Sequence, residues 1–123
     1  MEEIAAWSKA MELVDTIYDL IDKLPTKENW ALADQMRRAV ISIPSNISEG
    51  QARNSTKDFL RFLYIARGSK AELKTQVIIC EHRKYISETE CKHILRCIDA
   101  FGIVLNRTIN RVIEQDKMVQ EMK

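Results

Sequence analysis

Glycine and proline are scarce in this chain, which has three glycines and two prolines among its 123 residues. A β-sandwich or β-barrel needs turn residues about every ten positions, and this chain does not supply them. Apolar residues recur instead at spacings of three and four, the period of an amphipathic α-helix. The pattern predicts an all-α fold, and the length leaves room for a single domain.

The apolar pattern divides into four helical segments, at about residues 5–24, 28–49, 56–83 and 88–116. Pro44 falls inside the second segment, where its missing amide hydrogen predicts a kink or a break just before it. Gly50 has the position of a C-terminal cap for the same segment. Four helices with short connections favour an antiparallel up-down-up-down bundle.

Hydroxyl side chains mark the starts of the later helices. Ser55 or Thr56 is expected to cap the third segment, and Ser87 or Thr89 to open the fourth. The chain after Gln115 is polar, so we expect its end to fray.

The third segment carries more apolar surface than one bundle core requires. One stripe consists of Phe59, Phe62, Ala66, Leu73, Val77 and Cys80. A second stripe, about a third of a turn away, consists of Leu60, Tyr64, Ala71 and Ile78. Since a monomeric bundle needs one stripe per helix, the second predicts a contact with another subunit. The first segment is also apolar over a wide arc, and the predicted interface consists of Trp7, Met11, Tyr18, Leu60, Tyr64 and Ile78.

Charge is distributed unevenly along the chain. Residues 1–34 carry three basic and eight acidic side chains, whereas residues 35–84 carry ten basic and four acidic ones. A candidate surface for nucleic-acid phosphates consists of Arg53, Lys57, Arg61, Arg67, Lys70 and Lys74. Two alternatives are an ordinary solvated helix face and a subunit contact. In the latter, the acidic first helix of one copy docks beside the basic middle of the next, which generates a closed ring.

A row of polar residues lies beside the apolar stripe of the second segment, at spacings of three and four. It consists of Gln35, Arg38, Ser42, Asn46 and Glu49. If these side chains are buried they must satisfy one another, with Arg38 and Glu49 supplying charge-assisted bonds. One interpretation is a polar seam that fixes register or seals a subunit contact. The other is a pocket for a ligand or a phosphate near Pro44.

Neither a metal site nor a catalytic site is predicted. Cys80-x-His82 and Cys91-x-His93 contain residue types that suit zinc, but residues two apart on a helix point about 200° apart. Glu90 and His93 supply one Glu-x-x-His, whereas a di-iron bundle needs two. The sequence contains no glycine-rich phosphate loop and no Gly-x-Ser-x-Gly elbow. We therefore expect a non-enzymatic protein without a cofactor.

The cysteines and the apolar runs bear on the compartment. The chain has three cysteines, an odd number, with no CxxC pair, which favours free thiols in a reducing compartment. No apolar run approaches the ~20 residues of a membrane span, and Met1-Glu2-Glu3 lacks the basic start of a signal peptide. These features predict a cytoplasmic protein without a membrane partner.

Several runs resemble a known family. They are Trp7 with the helix that follows it to Tyr18, Leu24-Pro25 and Glu28, Gln35-x-Arg37-Arg38-Ala39, Ser42-Ile43-Pro44-x-Asn46-Ile47-x-Glu49-Gly50 and Phe59-x-Arg61-Phe62-Leu63-x-Ile65-Ala66-x-Gly68-Ser69-x-x-Glu72-Leu73. They resemble the four-helix-bundle family of 23S rRNA intervening-sequence proteins over nearly the whole chain. The Ser-Ile-Pro-x-Asn-Ile-x-Glu-Gly run is its specific signature.

The resemblance implies a small bacterial protein that forms an antiparallel four-helix bundle and assembles into a homopentameric ring. It also implies association with rRNA and carries over no catalytic residues. The family is distantly similar to the accessory protein of diversity-generating retroelements, a basic pentamer, whereas this chain has a net charge of +1. The expected function is an RNA- or ribonucleoprotein-associated accessory or scaffold. The alternative is a protein-interaction adaptor that binds its partner without nucleic acid.

Overall fold

The computed structural model describes the backbone of residues 2–123 and the side chains of residues 5–123. Over that range the fold is all-α and has four long helices. They are α1 (Glu2–Ile21), α2 (Leu32–Gln51), α3 (Thr56–His82) and α4 (Glu88–Glu121). A short 3-10 helix, Thr26–Glu28, lies in the first connection. Within residues 2–123 there is no helix whose apolar stretch would cross a lipid bilayer.

The four helices enclose one apolar core. Both α1 and α3 pack against α2 and against α4. Each helix contributes fully buried side chains, among them Ile17, Met36, Leu73 and Phe101. Leu63 of α3 is also fully buried, although it belongs to neither of the two predicted stripes. The core confirms the predicted fold class as an all-α protein with four helices.

The helix starts follow the capping rules at two of the predicted positions. Ser55 caps α3, where its hydroxyl accepts a hydrogen bond from the Asp58 amide at 3.1 Å. Ser87 caps α4, and Glu90 reaches back to the Ser87 amide, which completes a capping box. Each cap satisfies amide donors that have no partner within their helix.

Three of the other predicted boundaries are shifted, namely the end of α1, the start of α2 and the end of α4. The second helix begins at Leu32 rather than near residue 28, and the first ends at Ile21 rather than 24. Glu28 is instead held by the Tyr85 hydroxyl at 2.6 Å and by the Leu32 amide at 3.4 Å. At the C-terminus α4 continues to Glu121 instead of fraying after Gln115. The Thr56 hydroxyl donates to Asp116 at 2.7 Å and fastens that extension to the start of α3.

Pro44 does not break its helix, and Gly50 is not the predicted C-terminal cap. α2 continues without a break through Pro44, which is buried between the fully buried Ile43 and Ile47 on either side. The packing of this face outweighs the loss of one amide donor. Gly50 lies inside α2, and the C-terminal cap is Ala52. A Cβ atom on Gly50 would lie 2.7 Å from the ring of Phe59, so this glycine permits the close approach of α3.

Candidate functional site

An apolar groove lies along the contact between α1 and α2. It encloses about 370 Å³ and is lined by Trp7, Met11, Val14, Ile41, Pro44, Ser45 and Ser48. Trp7 and Met11, four residues apart on α1, are each 39% exposed, and Ile41 of α2 is 45% exposed. Ile41 was not among the predicted interface residues, although its spacing of three from Pro44 places the two on one helix face. This α1/α2 groove leaves large apolar side chains open to a partner.

The remaining predicted interface residues divide by helix. Tyr18 of α1 is exposed, and so are Tyr64 and Ile78 of α3. Leu60 is half-buried and packs against the core of its own chain. The second stripe of α3 is therefore exposed in a single copy of the protein, except for Leu60.

The predicted polar seam separates into an inner part and an outer part. In the inner part the Ser42 hydroxyl lies 2.9 Å from that of Ser69 on α3, and the Asn46 amide donates to Ser42 Oγ at 2.9 Å. In the outer part Arg38 and Glu49 do not pair with each other. Arg38 is exposed and contacts Asp34 at 3.1 Å. Glu49 is likewise exposed and accepts from Arg53 at 2.6 Å.

The inner part of the seam is thus a neutral hydroxyl and amide network that joins α2 to α3. Ser69 belongs to this network but was not predicted as a site residue. The only sequence feature that points to it is its place in the run that resembles the family. Above the network lies a polar cleft of about 270 Å³, lined by Gln35, Arg38, Ala39, Ser42, Ser69 and Glu72. The cleft offers hydrogen bonds, and among the described side chains Glu72 forms no hydrogen bond with Ser42 or Ser69.

Half of the predicted basic surface is paired with acids of its own chain. Lys74 contacts Asp99 of α4 at 3.1 Å, and Arg61 contacts Asp58 at 3.8 Å. Arg53 is engaged by Glu49 of the seam. All three pairs are largely exposed, where an ion pair contributes at most about 1 kcal/mol, so solvent screens them strongly.

The arginines of this surface also lie over aromatic rings. The guanidinium carbons of Arg53 and Arg61 lie 4.9 Å and 4.4 Å from the centre of the Phe62 ring. Arg67 lies 4.8 Å from the centre of the Tyr64 ring. These contacts shield Phe62 from solvent and fix the directions of the guanidinium groups.

Three cations of the predicted set keep their charge available. Lys57, Arg67 and Lys70 form no ion pair with any side chain in residues 5–123. Lys70 reaches over α4, where its Nζ atom lies 2.8 Å from the position of a Cβ atom on Gly102. Three of the six predicted cations are therefore free of an ion pair with the described side chains.

Cys80, Cys97 and Glu90 each contact another side chain of the chain. Cys80 is fully buried against Met36, with 3.7 Å between the two sulfur atoms, and burial raises the pKa of its thiol to about 11. Cys97 lies 3.9 Å from His93 Nε2 on the same helix. Glu90 is held by Lys23, which is the main cause of its lowered pKa. No cluster of three potential metal ligands occurs in the part of the chain that the structure describes.

Comparisons with known proteins agree with this architecture. A family model described as 23S rRNA-intervening sequence protein matches residues 2–107. A solved structure from Bacteroides thetaiotaomicron, described as a protein with unknown function from the S23 ribosomal protein family, has a TM-score of 0.81. It covers 89% of this chain and 99% of its own, at 22% sequence identity, so this likeness shows the fold alone. No curated protein matches the chain.

Proposed function

The chain belongs to the family of 23S rRNA-intervening sequence proteins, and we propose that it is a non-enzymatic, cytoplasmic bundle that assembles with copies of itself. In this proposal the assembly is an accessory or scaffold of an RNA-containing complex. The observation that carries the proposal is the apolar surface that one copy leaves exposed. The part proposed for assembly lies on α1, α2 and α3 and includes Trp7, Ile41 and Ile78, whereas the exposed Ile103 of α4 is assigned no role in it.

The proposed topology is an antiparallel up-down-up-down bundle. Two contacts support it, because each brings the end of one helix beside the start of a helix packed against it, as antiparallel helices require. Lys23, just after α1, contacts Glu90 in the first turn of α4. Thr56, at the start of α3, contacts Asp116 near the end of α4. Short connections between such helices favour the same arrangement.

The proposed assembly is a head-to-tail ring, and the resemblance to the family implies five copies. Charge supports a contact between unlike surfaces. The exposed arc of α1 is acidic at Asp15 and Asp19, and the exposed Asp22 follows the helix, whereas the exposed arc of α3 is basic at Lys57 and Arg67. A heterologous contact of this kind repeats from copy to copy and closes into a ring when the rotation permits.

The assembly is tested by comparing two matched substitutions with the unmodified protein. Ile78→Glu places a charge in the second stripe of α3, and Ile103→Glu places the same charge on an exposed position of α4. We expect Ile78→Glu to lower the mass measured by light scattering while Ile103→Glu leaves it unchanged. A monomeric mass for the unmodified protein at micromolar concentration contradicts the proposal.

RNA association is tested through the three α3 cations that sit on one helix face. Replacing Arg67, Lys70 and Lys74 by glutamate should weaken binding to a structured rRNA fragment and reduce its salt dependence. Binding that does not change with salt refutes this part of the proposal.

A second candidate function, a protein-interaction adaptor, is favoured by one observation. Half of the predicted basic residues are already paired with acids of the same chain. An adaptor would use the apolar surface alone, so the triple glutamate variant would keep its full activity toward the partner.

A further inference from the structure

Trp30 lies almost entirely in solvent at one end of the bundle. It is 93% exposed, more than any other large apolar side chain in the described part of the structure. In the same connections Leu24 and Ile86 are buried, Pro25 and Tyr85 are half-buried, and Ala31 is exposed. The indole is therefore the most exposed large apolar side chain at this end, and it is not part of the apolar surface proposed for assembly.

The backbone that carries Trp30 is anchored from two sides. Trp30 follows the 3-10 helix in the connection between α1 and α2. Glu28, two residues earlier, accepts a hydrogen bond from the Tyr85 hydroxyl of the α3–α4 turn at 2.6 Å and from the Leu32 amide. The Tyr85 hydrogen bond lowers the pKa of Glu28 and raises the pKa of Tyr85. The two connections thus form one fixed end of the bundle.

Lys84, in the α3–α4 turn, has a backbone conformation that usually belongs to glycine. Its φ is 65°, in the left-handed region, and no other described residue has a positive φ. The Lys84 amide donates to Glu81 O and the Tyr85 amide to Cys80 O, both at 2.8 Å, which is a Schellman motif. Lys84 therefore occupies a strained position at which glycine would cost less.

Three cations belong to this end of the bundle, Lys27, Arg83 and Lys84. None of them forms an ion pair with the described side chains. The positive charges of Lys27 and Arg83 help to lower the pKa of Glu28, whose carboxylate accepts its hydrogen bond from the Tyr85 hydroxyl. Unpaired positive charge in the connection that carries the indole, and in the turn hydrogen-bonded to it, complements a polyanion that carries planar bases.

We propose that Trp30, with Lys27, Arg83 and Lys84, is a stacking site for an unpaired base of single-stranded RNA. The indole stacks on the base, and the three cations hold the flanking phosphates. The cations of the two connections that form no ion pair with a described side chain favour a polyanion over an apolar protein partner. The inference rests on the proposed RNA association and adds a contact outside the basic face of α3.

The test uses fluorescence anisotropy with a labelled single-stranded RNA of about 15 nucleotides and with the same RNA annealed to its complement. We expect the unmodified protein to bind the single strand more tightly than the duplex. Trp30→Ala should weaken single-strand binding about tenfold, and Trp30→Phe should restore most of the loss. Lys84→Gly should reduce the slope of log affinity against log salt by about one.

The outcomes separate this inference from the proposed function. If the unmodified protein binds neither RNA, the proposed RNA association fails and the stacking site fails with it. If the Arg67, Lys70 and Lys74 glutamate variant loses binding while Trp30→Ala binds like the unmodified protein, the stacking site alone is overturned. A lower mass for Trp30→Ala in light scattering, with unchanged RNA affinity, also overturns it, because the indole is then a subunit contact.

Discussion

Replacing Gly50 by alanine adds one methyl group where α2 packs closely against α3. The new Cβ atom would lie 2.7 Å from Phe59 Cδ1 and 3.0 Å from Phe62 Cβ. The Phe59 ring is half-buried and can turn aside. The Phe62 Cβ atom moves only with the α3 backbone. The methyl group therefore forces α2 and α3 apart or strains the residues between them.

The size of the effect follows from two opposing contributions. Alanine is favoured over glycine inside a helix by about 1 kcal/mol. Inserting a methylene-sized group into a packed contact costs about 1–3 kcal/mol. Gly68 of α3 provides the control, because it is exposed and its Cβ atom would meet no heavy atom within 4 Å. Gly68→Ala should thus raise the free energy of unfolding by about 1 kcal/mol. The free energy of unfolding of Gly50→Ala should be lower than that of Gly68→Ala by about 1–3 kcal/mol.

The assay is urea unfolding followed by helical circular dichroism, at one protein concentration and with the mass of each variant checked by light scattering. Since both variants carry the same substitution, the helix preference cancels and the difference between them reports the packing cost. If Gly50→Ala is stabilised as much as Gly68→Ala, the close approach of α2 and α3 does not explain this glycine. A change in the denaturant slope would indicate an altered unfolded or native state rather than a packing cost.

Three further predictions concern the turn between α3 and α4 and the thiols. Lys84→Gly should raise the free energy of unfolding by about 1 kcal/mol, because it removes the left-handed strain, and no gain in urea unfolding would contradict that origin. Tyr85→Phe should raise the pKa of Glu28 toward its ordinary value of 4.5, measurable by NMR titration of the carboxylate; an unmoved pKa refutes the assignment. Since that pKa is lowered in the folded protein, the bond stabilises above pH 4.5 and the stability deficit of Tyr85→Phe should shrink as the pH falls through the lowered pKa. Cys97 should be alkylated in the native protein, as shown by mass spectrometry, while the fully buried Cys80 reacts only after unfolding, and equal native rates would contradict its burial.

The sequence determined the helical class, the number of helices and the starts of α3 and α4. These follow from local rules, because apolar spacing reports the period of a helix and a serine cap satisfies the amides next to it in the chain. Ser55 and Ser87 are both used in this way. The exposure of Tyr64 and Ile78 was also predictable, since a helix in a bundle buries a limited arc.

Tertiary structure decided the features that depend on distant residues. A glycine after a helical run predicts a C-terminal cap. Gly50 instead lets α2 approach α3 closely at Phe59 and Phe62. The seam predicted along α2 alone is completed by Ser69 of another helix. Nor does local spacing reveal that the loop bearing Trp30 is fixed by Tyr85, 57 residues from Glu28. Periodicity describes one helix at a time, whereas these contacts arise where two elements approach, and their free energy exists only in the packed bundle.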